Sequence, residues 1–161
     1  GDFMKDYLEE LDDLDKAILT ELQEDSAISN VELARRISLS PPAVHARIKR
    51  LEDLGYVRQY VAVLDREKVG YDMLCLINVT LQMHQMDNIN LFREAVQQMP
   101  EVLECYFLTG EFDYLLKVVV RNRKELELFL MEKLTPIHGI ARIATSIVLT
   151  EIKYTTALAL D

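Results

Sequence analysis

Ser29-Asn30-Val31-Glu32-Leu33-Ala34-Arg35-Arg36-Ile37-Ser38-Leu39-Ser40-Pro41-Pro42-Ala43-Val44-His45-Ala46-Arg47-Ile48-Lys49-Arg50-Leu51 contains two helix starts, at Ser29 and Ser40, separated by a very short joint. At the first start, Ser29 and Glu32 have the spacing of a capping box. The serine side chain accepts from the amide three residues on, and the glutamate reaches back. Leu33, Ala34 and Ile37 form the buried side of that helix. At the second, Ser40 is an N-cap and Pro41 takes the first helical position, where its missing N–H costs nothing. Val44, Ile48 and Leu51 give the seam of this helix, and Gly55 ends it.

Upstream, Leu11, Leu14, Ile18 and Leu22 recur at spacings of three and four, which predicts a helix from about Tyr7 to Gln23. Asp12, Asp13 and Asp15 lie near its start, where carboxylates suit the helix dipole. Three short helices with a tight second joint predict a helix-turn-helix over residues 7–57. In that arrangement the third helix buries one side and shows the other to the major groove of DNA. Opposite the seam lie Pro42, His45, Ala46, Lys49 and Arg50. Ser40, Pro41, Pro42 and His45 are placed for base edges. Arg47, Lys49, Arg50 and Arg58 are placed for phosphates, and Arg35 and Arg36 sit on the helix that crosses the backbone.

The net charge of the 161 residues is −9, which by itself argues against a nucleic-acid partner. Its distribution reverses that. Residues 33–58 carry six bases against two acids, net +4, between a segment 1–32 of net −9 and a segment 59–161 of net −4. A basic island in an acidic chain is an electrostatic footprint that the total hides. Cys75 and Cys105 sit in apolar runs and read as buried, reduced thiols. With no CxxC and no Cys/His cluster, neither a metal site nor a cofactor is expected. No apolar run reaches membrane-spanning length, and the expected compartment is the cytoplasm, with the nucleoid.

Downstream of Gly55, Arg58 to Leu64 alternates as a strand, and residues 58–71 are read as strand and hinge. The period then changes. Cys75, Ile77, Val79, Leu81 and Met83 alternate with polar residues as a half-buried strand. Asn90 is read as the cap of a helix with Phe92, Ala95 or Val96, and Met99 in its seam. Val102–Thr109 and Asp113–Arg121 read as strands about a turn. Leu126, Phe129, Leu130 and Leu134 mark a second helix, and Ile140–Tyr154 a last strand. The order is βαββαβ, a ferredoxin-like domain over residues 72–155, so the whole chain is α+β. One face of such a sheet carries the helices. The other is free and wants a partner.

The chain resembles the Lrp/AsnC (feast/famine) transcriptional regulators. The resemblance rests on residues 11–19 (LDDLDKAIL), 31–37 (VELARRI), 39–52 (LSPPAVHARIKRLE), 55–60 (GYVRQY) and 108–116 (LTGEFDYLL), in that order. It implies a sequence-specific regulator of double-stranded DNA. It also implies a C-terminal domain that pairs back to back into dimers, and dimers that gather into tetramers, octamers or other rings. Small effectors, typically amino acids, would bind between dimers. The residues themselves suit such a ligand: Gly110 lets a backbone amide approach a carboxylate, and Asp113 offers a charge to an ammonium. Thr109 and Tyr114 are left for hydrogen bonds or shape; the resemblance implies Thr109, Gly110, Glu111 and Asp113 as the loop site, with Thr145 and Ser146 as further candidates from the last strand. Read without the family, the same loop is an ordinary hairpin turn. His45, His84 and His138 are scattered and no nucleophile–base pair is visible, so no enzyme activity is expected. Two other readings are a metabolite-sensing subunit that binds protein, and an architectural DNA-bending protein without effector.

Overall fold

The computed structural model describes residues 11–82 and 86–161. Of the sequence readings, Tyr7 to Glu10, Met83 and His84 lie outside that range. The chain divides into two compact units. One comprises residues up to Ala62 together with Lys153–Asp161, the other Val63–Ile152.

The first unit holds α1 (Asp13–Glu24), α2 (Asn30–Ile37) and α3 (Pro41–Asp53). Asp12 caps α1 in a full capping box with Asp15. Ser29 Oγ accepts from the Glu32 amide at 3.1 Å, as its spacing predicts. The reciprocal half of that box differs from expectation, because Glu32 turns its oxygens to Arg35 and Arg36 instead. Ser38 makes the joint between α2 and α3 with φ 58°, the one non-glycine residue with positive φ among those described. Ser40 caps α3, with Pro41 and Pro42 opening it. Ile18, Leu33, Val44 and Leu51 are fully buried at the centre of the three helices. Burial of each such side chain is worth roughly 1.5–3 kcal/mol, which holds α3 by its seam and leaves its far side open.

The C-terminal segment returns to this unit. Leu160 packs against the three-helix core. The Gln23 amide pairs with the Leu158 backbone in both directions, Nε2 donating at 2.9 Å and Oε1 accepting at 2.6 Å.

The second unit holds β1 (Met73–Leu81), α4 (Met86–Gln97), β2 (Val102–Phe107), β3 (Tyr114–Val120), α5 (Arg123–Leu128) and β4 (Ile140–Ile147). The sheet order is β2-β3-β1-β4, all neighbours antiparallel, which is the expected ferredoxin-like topology. Cys75, Ile77, Val79 and Leu81 of β1 meet Phe92, Val96, Leu126, Phe129 and Leu134 in one core. After α5 the chain continues in a π-helical turn, Phe129–Leu134. A wider turn places residues five apart above one another, so Phe129 and Leu134 both reach the core.

Several sequence expectations are corrected. Arg58–Leu64 forms no strand: no neighbouring strand is paired with it in this chain, and Val61, Val63 and Leu64 are exposed. Alternation alone makes no strand, because its backbone groups need a ladder. For the same reason β4 stops at Ile147 and not at Tyr154; Val148 N makes a last bond to Leu74 O as β1 runs out. Asn90 does not begin a helix but lies exposed within α4. Cys105 is exposed, not buried, because β2 is the edge strand.

Candidate nucleic-acid interface and ligand loop

Burial alternates around α3 as its seam requires. Val44 and Leu51 are buried and Ile48 half-buried, while Pro41, Pro42, His45, Ala46, Lys49 and Arg50 are exposed. The N-cap Ser40 uses its Oγ on the Ala43 amide. The Asn30 side-chain nitrogen lies 3.5 Å from His45 Nδ1, at the outer limit of a hydrogen bond. Arg58 is exposed just after the helical core.

The cations of this face differ in how much they are already engaged. Arg47 NH1 binds Asp12 at 2.7 and 2.8 Å and Asp15 at 3.0 Å. Arg50 NH1 binds Asp15 at 3.1 Å. Asp15 is 1% exposed, so these two arginines compensate a buried carboxylate and brace α3 to the start of α1. Hydrogen bonding from Arg47 lowers the Asp12 pKa and raises that of Arg47. On α2, Arg35 and Arg36 share Glu32, and Arg36 also reaches Glu21 at 2.7 Å. These hydrogen bonds, Arg35 first and then Arg36, hold the Glu32 carboxyl down at about 2. Lys49 meets Asp53 at 3.3 Å, but both side chains are about two-thirds exposed, a weak pair that a phosphate can displace. The braces of Arg47 and Arg50 span more than thirty residues of sequence, which is why helix periodicity did not reveal them.

In the second unit the β2–β3 loop arches over the end of β1. Leu108 N bonds to Asp113 O, Asp113 N to Val79 O, and Asp113 Oδ2 accepts from the Leu81 amide at 2.8 Å. Glu111 reaches Arg142 of β4 at 3.2 Å, and the Arg142 guanidinium lies 5.0 Å from the centre of the Phe112 ring. Gly110 has φ +114° and open space where a side chain would stand. Thr109 is exposed, and Tyr114 is buried at the start of β3. Thr145 and Ser146 are not brought to this loop within one chain. They pair with Ile77 and Leu76, four and five positions along β1 from Leu81, or at least about 13 Å at the rise of a strand. As strand neighbours they also face opposite sides of the sheet. Among the described residues no group of three or more His, Cys, Asp or Glu could hold a metal, and no helix is long and apolar enough to cross a membrane.

Residues 11–58 match the winged helix-turn-helix DNA-binding family, and residues 74–158 match the Lrp/AsnC ligand binding domain. The chain is 37% identical over 151 residues to the transcriptional regulator AzlB of Bacillus subtilis, covering 94% of this chain and 96% of that protein. It is 36% identical to the leucine-responsive regulatory protein of Escherichia coli K12, covering 94% and 92%. Among solved structures, the transcriptional regulator NMB0573 of Neisseria meningitidis in complex with L-Met superposes with a TM-score of 0.91 at 41% identity, covering 94% of this chain and 97% of that one. With its helix-turn-helix at the N-terminal end and its α+β ligand-binding domain behind it, the chain belongs to the Lrp/AsnC family of DNA-binding transcriptional regulators.

Proposed function

We propose that the chain regulates transcription by setting its open α3 face into the major groove and answering to a small amino acid. The observation that carries the first half is the division of α3 into a buried seam and an exposed face of Pro41, Pro42, His45, Ala46, Lys49 and Arg50. Ser40, Pro41, Pro42 and His45 meet base edges in this reading, and Lys49 and Arg58 meet phosphates. Arg35, Arg36, Arg47 and Arg50 contribute to the local field, partly spent on their acids.

For the effector, the loop Thr109-Gly110-Glu111 with Asp113 and Tyr114 is the site, and the L-Met bound to the Neisseria relative favours an amino acid. Asp113 keeps one carboxylate oxygen for Leu81. Its other oxygen has no hydrogen-bond partner among the described residues and is the one offered to an ammonium. Thr145 and Ser146 join this site only from a second copy, in keeping with dimers through the free sheet face and larger rings of dimers. Binding regulates only if the amino acid prefers one assembly or DNA-bound state. The test is a thermal-shift screen of the common amino acids, followed by a gel shift on genomic fragments at two salt concentrations with and without the ligand that scores. No mobility shift at low salt overturns the DNA reading; no thermal response overturns the effector reading.

A further inference from the structure

The helix-facing side of the edge strand β2 is incompletely covered. Between it and α4 lies a cavity of about 470 Å3, whose wall includes Val96, Val102, Leu103 and Cys105 beside the Phe107 and Tyr114 rings. Small-ligand cavities generally span about 300–1,000 Å3. Arg93 of α4 stands at this cavity with its guanidinium 5.6 Å from the Phe107 ring centre and 5.8 Å from that of Tyr114. Its Nε donates to Tyr114 Oη at 3.1 Å. Arg93 makes no ion pair among the described residues, whereas Arg35, Arg36, Arg47, Arg50, Arg66 and Arg142 all do. Two aromatic rings and one hydrogen bond thus hold the guanidinium at the cavity, and its two terminal nitrogens, the fork that matches a carboxylate, have no protein partner among the described residues.

We infer that this cavity binds a small monocarboxylate with a short apolar tail, its carboxylate on the Arg93 fork and its tail against Val96, Val102, Leu103 and Cys105. An ammonium group is not required and is poorly served. The acid on the wall, Glu104, is opposite Lys117 in the sheet and within 3.7 Å of its ammonium. A ligand ammonium would also stand near the Arg93 charge. The site therefore favours a short fatty acid or 2-oxo acid over the corresponding amino acid; it shares Tyr114 with the loop site but uses neither Gly110 nor Asp113.

Cys105 supplies a local reporter, since it lines the cavity and is exposed while Cys75 is buried. Although the thiol reaches solvent, the protein packed around it partly desolvates it and raises its pKa, and the Arg93 charge partly offsets this. A carboxylate on Arg93 shields the sulfur and cancels that offset, and both effects slow alkylation. The experiment measures the rate of Cys105 alkylation by iodoacetamide in the full chain, read by mass spectrometry, against increasing 4-methylpentanoate. The rate falls several-fold at saturation, 4-methylpentanamide leaves it unchanged, and L-leucine protects more weakly than the plain acid. Arg93→Gln weakens protection roughly ten- to hundredfold, the loss typical of a charged hydrogen-bond partner. Arg93→Lys, which keeps the charge without the fork, falls between, and Asp113→Asn protects like the parent. Equal protection by the amide, protection that survives Arg93→Gln, or L-leucine protecting as well as the acid overturns the assignment. So does a native Cys105 that reacts no faster than Cys75, which would mean that another chain covers the cavity.

Discussion

Asp113 ties the β2–β3 loop to the end of β1 by accepting the Leu81 amide at 2.8 Å, just where the pairing of β1 with β4 shifts register. The shift between Thr80 and Leu81 takes the strand out of its regular ladder, and the aspartate fills the gap. A residue expected to hold a ligand therefore also holds the loop in place.

Two substitutions separate these roles. Asp113→Asn keeps a carbonyl oxygen for Leu81 and is expected to unfold in urea within about 1 kcal/mol of the parent. Asp113→Ala leaves a part-buried amide without its partner and is expected to cost about 1–3 kcal/mol. If Asn binds the amino acid as tightly as Asp, the aspartate serves the loop alone.

Lys49 and Arg50 are neighbours on the exposed face of α3 but should behave differently. Lys49→Ala removes a loosely paired surface ammonium. It is expected to leave the melting temperature unchanged and to lower the salt dependence of DNA binding by about 0.9 in the log–log slope, one phosphate contact. Arg50→Ala strips a partner from the buried Asp15 and should lower stability as well as affinity. Circular-dichroism melts beside salt titrations check both; an unchanged slope in Lys49→Ala removes that lysine from the interface.

Acid should loosen the α2 surface through Glu32. Its carboxyl pKa falls from 4.5 to about 2 on folding, because Arg35 and Arg36 donate to it. A lowered folded pKa gives stability that is present above pH 4.5 and is lost as pH falls from there toward 2. The arginines stay charged throughout, so only the carboxyl titrates. Glu32→Gln should therefore melt below the parent near neutrality, with a gap that narrows as pH falls from 4.5 toward 2. A gap of constant size would contradict the linkage.

What was legible in the sequence is what local chemistry decides. Ser40 and Pro41 announce α3, Val44 and Leu51 name its buried side, and the Cys75-Ile77-Val79-Leu81 alternation gives the core face of β1. Each of these signals is complete within a few residues. The missing parts depend on competition between neighbouring groups or on groups far away in the chain. Glu32 could cap Ser29 or pair with arginines, and the charged partners won. Arg47 carries a charge suited to a phosphate, and its pairing with Asp12 and Asp15 depends on residues more than thirty positions away. Cys105 sits in a run as apolar as that of Cys75, yet strand order puts one at an edge and the other in the centre. Arg58–Leu64 has the pattern of a strand without a neighbour to pair with. A turn with glycine and aspartate has the same local pattern with or without a ligand.

The return of the C-terminal segment to α1 yields the last prediction. The side-chain amide of Gln23 pairs with the Leu158 N–H and C=O as a neighbouring strand would, and Lys16 Nζ donates to Asp161 O. Leu160 adds an apolar contact to the Ile18–Leu33–Val44–Leu51 core. Exposed hydrogen bonds contribute little by themselves, while a half-buried leucine contributes on the order of 1 kcal/mol. Leu160→Ala is therefore expected to cost about 1 kcal/mol, and Gln23→Ala about 0.5–1 kcal/mol. The double variant should cost less than the sum, because releasing the segment at either point frees the other. Hydrogen exchange gives the sharper reading. In both single variants the Leu158 amide and the α1 amides should exchange faster, while those of β1 and β3 keep their protection. Unchanged exchange at Leu158 in Gln23→Ala would show that the segment does not rest on α1 in solution.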